Sequence, residues 1–275
     1  MLYINKLTIL KKLDMRELLR DCTFSVLPHQ KIGIIGEEGN GKSTLLKAIL
    51  DPKLIENYCN VQGFVQHENL VLGYLPQRMP EIWKDISVWE YFFKKNPNSD
   101  CDYQNINNCY SLLSTYQLNE EDLYDKKCGE CSGGEQVKIQ LIKLQMQNPD
   151  LYLLDEPTND LDIDTLTFLE EFMSDENKTI LFISHDETLL RNVATGILHL
   201  EQIHRKTQSR WTFENIEYDE YLEKRNLLKN RQNQISDKQH AEYRAKMDRY
   251  NRLYQKVNHA LNTVSRQDPH TGYLL

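Results

Sequence analysis

The sequence predicts an α/β fold with a phosphate-binding loop, an antiparallel β subdomain, a helical subdomain and a long helix after them. The apolar run at residues 31–35 leads into a G-x-x-x-x-G-K-[ST] motif at 36–44, which is followed by residues of helical spacing. Residues 151–154 and 179–183 are short and apolar without alternation, as in parallel strands covered on both faces. The helical pattern at 163–173 lies between them, so we expect a βαβ unit.

The remaining elements follow from simpler patterns. Apolar and polar residues alternate through the first thirty positions, which predicts antiparallel strands, and residues 64–65 and 70–76 are predicted to be further strands. Residues 87–148 are mostly helical in pattern, with polar breaks at 96–108 and 126–134. We therefore expect a helical subdomain over about residues 86–148.

Length and composition favour a folded protein. A chain of 275 residues with 40% apolar content can form one large α/β domain and an appendage. Its apolar runs are far shorter than a membrane span and its first residues lack a secretion-signal pattern, so we expect a cytoplasmic protein without membrane insertion. The six cysteines lack a framework spacing, and the pair Cys128 and Cys131 has no second ligand pair that would favour zinc.

Charge divides the chain into two parts. Residues 1–204 carry 19 Lys and Arg against 32 Asp and Glu, a net charge of −13, whereas residues 205–275 carry 14 against 9, a net charge of +5. We therefore predict a boundary at 204, between an acidic domain and a basic helical tail.

The tail shows a heptad pattern. From about residue 214 the sequence is charged and aromatic, and apolar residues recur at alternating intervals of four and three. This apolar seam consists of Tyr243, Met247, Tyr250, Tyr254, Val257, Leu261 and Val264, with Tyr221, Leu228 and Ile235 continuing it less regularly upstream. We expect such a helix to pack against a partner helix that follows a turn near residues 268–272. The sequence ends at Leu275, before the second helix of this hairpin.

The motif at 36–44 predicts a phosphate site. Its glycines allow backbone N–H groups to turn inward around a phosphate chain, and the following helix adds partial positive charge. Lys42 would contact the β- and γ-phosphates, and Ser43 would ligate Mg²⁺. The predicted nucleotide-binding positions here are Gly36, Gly39, Asn40, Gly41, Lys42, Ser43 and Thr44. The alternative is a glycine-rich turn that happens to precede a helix.

Acidic and polar residues follow the predicted strands. Asp155 and Glu156 lie at a strand C-terminus, where Asp155 suits Mg²⁺ and Glu156 suits the base that orients a water for phosphoanhydride hydrolysis. His185 follows the next apolar strand and could reach a γ-phosphate, and Gln77 could ligate Mg²⁺ through its carbonyl oxygen. The alternative for Asp155 and Glu156 is a pair of acids that cap the turn into the next helix. The alternative for His185 is a structural histidine.

Together these motifs resemble those of ATP-binding cassette (ABC) ATPases, in order and in approximate spacing, over residues 1 to about 204. Residues 131–136 resemble the family's signature Leu-Ser-Gly-Gly-Glu-Gln, with Cys131 in place of leucine. The resemblance implies a P-loop ABC ATPase domain that uses ATP and Mg²⁺. It also implies that Ser132, Gly133 and Gly134 contact ATP held by a second ABC cassette or by a second copy of this chain.

Three features are similar to the ABC-F subfamily of ribosome-associated tandem ATPases. They are the run from Tyr74 to Gln77, the run at 156–162 with Asp160 where the subfamily usually has histidine, and the charged helix. The resemblance implies that residues 205–275 begin a linker directed to rRNA and the P-site tRNA of the ribosome. Residues 265–272 resemble the linker tip of antibiotic-resistance members.

Two departures and two rival hypotheses remain. Residues 10–14 lack the family's adenine-stacking aromatic, and the sequence contains one cassette rather than two. A membrane transporter's ATPase subunit would share every motif through His185, but it has no evident use for the basic seam helix. A truncated, non-catalytic ribosome-binding remnant would explain the single cassette, but it would not need Lys42, Asp155 and Glu156 intact.

Overall fold

The computed structural model describes residues 1–67, 69–159, 161–175, 177–203 and 208–267, without the side chains of Ser236 and of residues 260–267. The strands in these ranges are β1 (Leu2–Lys11), β2 (Glu17–Val26), β3 (Lys31–Ile35), β4 (Cys59–Gln66), β5 (Leu72–Leu75), β6 (Leu151–Asp155), β7 (Ile180–Ile183), β8 (Gly196–Ile203) and β9 (Gln208–Glu214). The α-helices are α1 (Lys42–Leu50), α2 (Val88–Phe93), α3 (Ile106–Thr115), α4 (Glu120–Leu123), α5 (Gly133–Met146), α6 (Ile163–Ser174), α7 (Glu187–Val193) and α8 (Tyr218–Gln267). No helix among the described residues is long and apolar enough to cross a membrane.

The predicted antiparallel subdomain is a three-stranded sheet in the order β2-β1-β4. Its apolar positions alternate along β1, where Leu2, Ile4, Leu7 and Ile9 are buried. The alternation shifts by one residue between Ile4 and Leu7, where Lys6 has a positive φ of 48° and the strand pairing is irregular. This bulge keeps the apolar side chains on the face that meets α1 and the second sheet.

The second sheet has the order β5-β6-β7-β3-β8-β9, and all neighbours except β8 and β9 are parallel. Residues in β6 and β7 are almost fully buried, which explains their unbroken apolar sequences. The register places both Asp155 of β6 and Ile34 of β3 opposite Ile183 of β7. The carboxyl ends of these three strands therefore meet at one edge, where the predicted site residues follow.

The helical subdomain contains α2, α3, α4 and α5, and its sequence breaks fall close to those predicted. Ser87 caps α2 by accepting a hydrogen bond from Glu90 N at 3.2 Å. The first break is shorter than predicted because α3 already begins at Ile106. Ser99 organises this break by accepting hydrogen bonds from the backbone N–H groups of Lys95 and Asn96.

The first compact unit ends at Tyr221, later than the predicted boundary at 204. Strand β9, which the sequence pattern did not reveal, pairs antiparallel with β8. Its Trp211 donates an indole hydrogen bond to Arg20 O at 3.0 Å, and its Phe213 ring lies 5.1 Å from that of Phe24. These contacts with β2 make residues 208–214 part of the sheet layers, so residues 205–275 are not one helix.

The long helix predicted from the heptad spacing is confirmed as α8, which begins at Tyr218. Its apolar seam is exposed where the side chains are described, from Tyr243, which is 63% exposed, to Val257, which is 56% exposed. The rings of Tyr250 and Tyr254 stack with 16° between their planes. The turn predicted at 268–272 lies outside the described residues.

Candidate active site

The loop between β3 and α1 forms one wall of a cavity of about 400 Å³. Gly36, Gly39 and Gly41 have φ angles of 150°, 77° and 90°, which only glycine adopts without strain. Gly39, Gly41, Lys42, Ser43 and Thr44 line the cavity together with Glu38. The side chain of Asn40 instead donates to Leu200 O at 3.0 Å and is almost fully buried, so it anchors the loop to β8 rather than facing the cavity.

The Lys42 ammonium lies at the centre of the loop. It donates to Gly36 O at 2.7 Å and to Glu37 O at 3.2 Å, and its Nζ is 3.2 Å from His185 Nε2. Burial lowers the pKa of Lys42, while the carboxylates of Glu156, Glu38 and Asp155 act in the opposite direction. A buried cation with two backbone carbonyls as its acceptors is suited to exchange them for phosphate oxygens.

A carboxylate at the end of β6 faces the start of α1. Asp155 Oδ1 accepts from Ser43 Oγ at 2.8 Å, and Asp155 Oδ2 accepts from Tyr74 Oη at 3.1 Å. Burial raises the pKa of Asp155, and both hydroxyl donors lower it. A carboxylate and a hydroxyl in contact are hard oxygen ligands that fit Mg²⁺, which keeps several waters and needs few protein ligands.

The side chain of Glu156 is the centre of a second cluster. Its Oε2 accepts from Gln77 Nε2 and from Asn159 Nδ2, each at 2.7 Å, and its Oε1 lies 3.5 Å from His185 Nε2. Gln77 and Glu156 also line the cavity. Gln77 donates one amide N–H to Glu156, and its carbonyl oxygen can accept a cation or a water.

The signature-like segment begins α5 and does not line this cavity, judged from the residues that the structure describes. Ser132 Oγ accepts from Glu135 N at 3.2 Å, and Glu135 Oε2 accepts from Ser132 N at 2.8 Å, which makes a capping box. Gly134 packs closely on α6, because a Cβ there would lie 2.7 Å from Thr165 Oγ1. Ser132, Gly133 and Gly134 therefore do not belong to the lining of the cavity in their own chain.

Sequence reasoning missed four contributors. Tyr74 holds Asp155, Arg16 donates to Gly39 O at 3.1 Å, and Leu18 lies 3.0 Å from where a Gly41 Cβ would stand. Lys11 also lines the cavity, at the end where the expected aromatic is lacking. The run from Tyr74 to Gln77 forms part of a motif, but no local pattern assigns any of these four residues to the site, because they reach it from β1, β2, β5 and the turn before β2 rather than from the loop itself.

Comparisons with known proteins identify the family of this chain. A family model described as "ABC transporter" matches residues 19–159. ATP-binding protein Uup of Buchnera aphidicola subsp. Schizaphis graminum (strain Sg) is 33% identical over 189 residues, which cover 68% of this chain and 30% of Uup. Energy-dependent translational throttle protein EttA of Escherichia coli (strain K12) is 30% identical over 222 residues, which cover 68% of this chain and 39% of EttA.

Similarity of fold extends to solved cassettes. A nucleotide-free ATP-binding cassette from an ABC transporter superposes with a TM-score of 0.60 at 20% identity, over 78% of this chain and 91% of that one. The dimeric cassette MJ0796, a bacterial ABC transporter cassette, gives a TM-score of 0.58 at 20% identity, over 73% and 94%. With a family model that matches about half of its length and relatives at least 30% identical, the chain belongs to the ATP-binding cassette family, as an ATPase cassette of the ABC-F group.

Proposed function

We propose that this chain binds Mg²⁺-ATP in the cavity beside Lys42 and hydrolyses it together with a second cassette. The observation that carries the proposal is the convergence of three groups at one sheet edge. Lys42 is within 3.2 Å of His185, Ser43 donates to Asp155, and Glu156 is held beside His185. These groups supply a phosphate-binding cation, oxygen ligands for a metal and a carboxylate that can orient water.

The chemistry follows from their positions. Asp155 and Ser43 would hold Mg²⁺, which would neutralise charge on the phosphate oxygens. Lys42 exchanges its loop carbonyls for β- and γ-phosphate oxygens when the triphosphate enters. Glu156, fixed through one oxygen by Gln77, accepts a hydrogen bond from the attacking water and aligns it with the γ-phosphorus. His185, between Lys42 and Glu156, donates to a γ-phosphate oxygen.

Glutamine in place of Glu156 tests the catalytic role. Glu156→Gln keeps the size and the contact with Gln77 but removes the base, so ATP affinity should stay within about twofold while turnover falls roughly 100-fold or more. Glu171→Gln, the same change on the exposed surface of α6, is the matched control. Both are compared by nucleotide titration and steady-state phosphate release with the second cassette present, and unchanged turnover in Glu156→Gln would remove Glu156 from this role.

The second cassette is proposed because Ser132, Gly133 and Gly134 lie apart from the cavity of their own chain. The curated relatives are also longer, since this chain matches 30% to 39% of their length. If a second copy of this chain completes the site, the rate of hydrolysis should rise more than linearly with protein concentration. A linear rise with a high specific rate would show that the site is complete within one chain.

For the cellular role, we propose action on the ribosome in the cytoplasm. EttA is by its name a translational throttle protein, and the basic residues of α8 are exposed. The tail carries a net charge of +5 beside a domain of −13, so an RNA surface attracts the tail and repels the domain. The candidate phosphate contacts are Arg244, Lys246, Arg249, Arg252 and Lys256. Antibiotic protection rests on residues 265–272 alone, of which the structure describes only the backbone up to Gln267.

The RNA contact is tested by co-sedimentation with ribosomes over a range of salt. Replacing Arg244, Lys246, Arg249 and Lys256 with glutamine should weaken binding and lower the slope of log affinity against log salt by roughly 3, while ATP affinity stays the same. A charge-preserving control, Arg244→Lys with Arg249→Lys, should retain the slope. Co-sedimentation unaffected by the four glutamines at low salt would leave α8 as a packing element only.

A further inference from the structure

Strand β5 places a phenol beside the carboxylate that ends β6. The two strands are parallel, with Tyr74 opposite Leu153 and Leu75 opposite Leu154. From that position the Tyr74 hydroxyl reaches forward along the sheet and donates to Asp155 Oδ2 at 3.1 Å. The contact joins the strand that leads to Gln77 with the strand that leads to Glu156. It therefore connects the two strands whose ends carry these site residues.

The two oxygens of Asp155 have separate donors. Ser43 Oγ, on α1, holds Oδ1 at 2.8 Å, and Tyr74 holds Oδ2 from the opposite strand. Asp155 is only 3% exposed, so water has little access to replace either donor. With one donor on each oxygen the plane of the carboxylate cannot rotate freely, and the lone pairs that remain point in fixed directions.

We propose that Tyr74 is a positioning residue for the magnesium site, which fixes the Asp155 carboxylate in the orientation that a divalent cation requires. This inference rests on the proposed Mg²⁺-ATP function. Partners of metal-ligating carboxylates orient their ligands in this way, and their removal typically weakens metal affinity about 10- to 100-fold. The Ser43 hydroxyl donates a hydrogen bond to Asp155, so the lone pairs of Ser43 Oγ face away from the carboxylate. They are available to the same cation.

A purely structural role for Tyr74 predicts a different outcome. The ring is half-buried and also lines a second cavity of about 260 Å³ with Trp83, Tyr91 and Lys143. If packing of the ring were its whole contribution, removal of the hydroxyl alone would leave metal binding as it is. Tyr74→Phe separates the two roles, because it keeps the ring and deletes only the donor to Asp155.

The experiment uses the full chain and two variants, Tyr74→Phe and Tyr152→Phe. Tyr152 is a buried tyrosine on the same strand as Asp155, and the Tyr152 ring packs edge-on against Phe172, with 5.4 Å between the ring centroids. The Tyr152→Phe variant therefore controls for the loss of a tyrosine hydroxyl. A fluorescent ATP analogue is titrated in EDTA and at increasing Mg²⁺, and bound Mn²⁺ is followed by electron paramagnetic resonance. Thermal unfolding is recorded for each protein.

Tyr74→Phe should raise the Mg²⁺ concentration at half-saturation about tenfold or more and change the Mn²⁺ spectrum. Its nucleotide affinity in EDTA and its melting temperature should stay close to those of Tyr152→Phe. An unchanged Mg²⁺ midpoint, or a loss of affinity equal in EDTA and in Mg²⁺, would overturn the positioning role. If the unmodified chain itself shows no Mg²⁺-dependent nucleotide binding, the proposed function fails, which is a separate result. Asp155→Asn removes the carboxylate ligand itself. Its nucleotide affinity shows how large the effect is when all Mg²⁺-dependent binding is lost.

Discussion

The phosphate-binding loop contains two glycines that differ in what an added methyl group would meet. At Gly36 (φ 150°) a Cβ would lie 2.3 Å from Leu200 O, whereas at Gly39 (φ 77°) it would meet nothing within 4 Å. Alanine at Gly39 therefore suffers only the strain of left-handed backbone, about 1–2 kcal/mol. Alanine at Gly36 adds a backbone clash that requires a shift of about 1 Å to reach an acceptable C···O contact.

That shift has a second consequence, because Leu200 O also accepts the hydrogen bond from Asn40 Nδ2 at 3.0 Å. Overpacking costs about 1–3 kcal/mol and a disturbed buried hydrogen bond about 1 kcal/mol. We therefore expect Gly36→Ala to lower the free energy of unfolding by about 3–6 kcal/mol, and Gly39→Ala by about 1–2 kcal/mol. Gly36→Ala should also lower nucleotide affinity, because the loop moves away from β8 and the hydrogen bond between Asn40 and Leu200 is disturbed.

Urea unfolding followed by tryptophan fluorescence measures this difference. Trp83, Trp89 and Trp211 are the three tryptophans of the sequence and all lie in the unit that ends at Tyr221, so the signal reports that unit alone. Nucleotide-free protein is used, because bound ligand would add its own stabilisation. Equal destabilisation by the two variants, or a smaller effect at Gly36, would refute the reasoning from the Leu200 contact.

Two further predictions concern the helical subdomain. Burial lowers the pKa of Lys143 from 10.5 to about 8, so the unfolded chain binds more protons between these pH values and stability should rise with pH across that window. Lys143→Met should flatten this rise relative to the unmodified chain in urea unfolding at pH 7.5 to 10.5, and an identical rise would contradict it. Ser132→Ala removes the N-cap of α5, at a cost of about 1 kcal/mol and a melting temperature roughly 2–4 °C lower. If Ser132 also contacts ATP across a cassette pair, hydrolysis should fall further than this instability explains, with single-chain ATP affinity unchanged.

Local patterns in the sequence were sufficient for the elements that carry the chemistry. The loop motif and the unbroken apolar strands β6 and β7 each involve neighbours within a few positions. Such signals act through backbone conformation and helix caps, which depend little on the rest of the chain. The heptad spacing of α8 is likewise a property of one segment, and the helix is as predicted from Tyr218 onward.

Contacts between distant segments could not be predicted in the same way. The place of strand β9 in the sheet depends on Trp211, which meets Arg20 across most of the chain length. Asn40 is predicted to be a nucleotide-binding position, and no local pattern shows that its side chain donates to Leu200 O of β8. Tyr74 belongs to the site only because β5 pairs with β6 in one particular register. Each of these depends on tertiary packing, which overrides local preference.

The position of Glu156 shows how the sheet itself builds the geometry of the candidate site. Its backbone is left-handed, with φ of 50°, a conformation that costs a residue with a Cβ about 1–2 kcal/mol. Two hydrogen bonds hold this turn, from Glu156 N to Ile183 O at 3.1 Å and from Asn159 N to Glu156 O at 3.4 Å. The first of them extends the pairing of β6 with β7 by one residue, so the strain is maintained by the register of the sheet. The turn directs the carboxylate toward Gln77 and His185, whereas an extended backbone would continue the strand and direct it elsewhere.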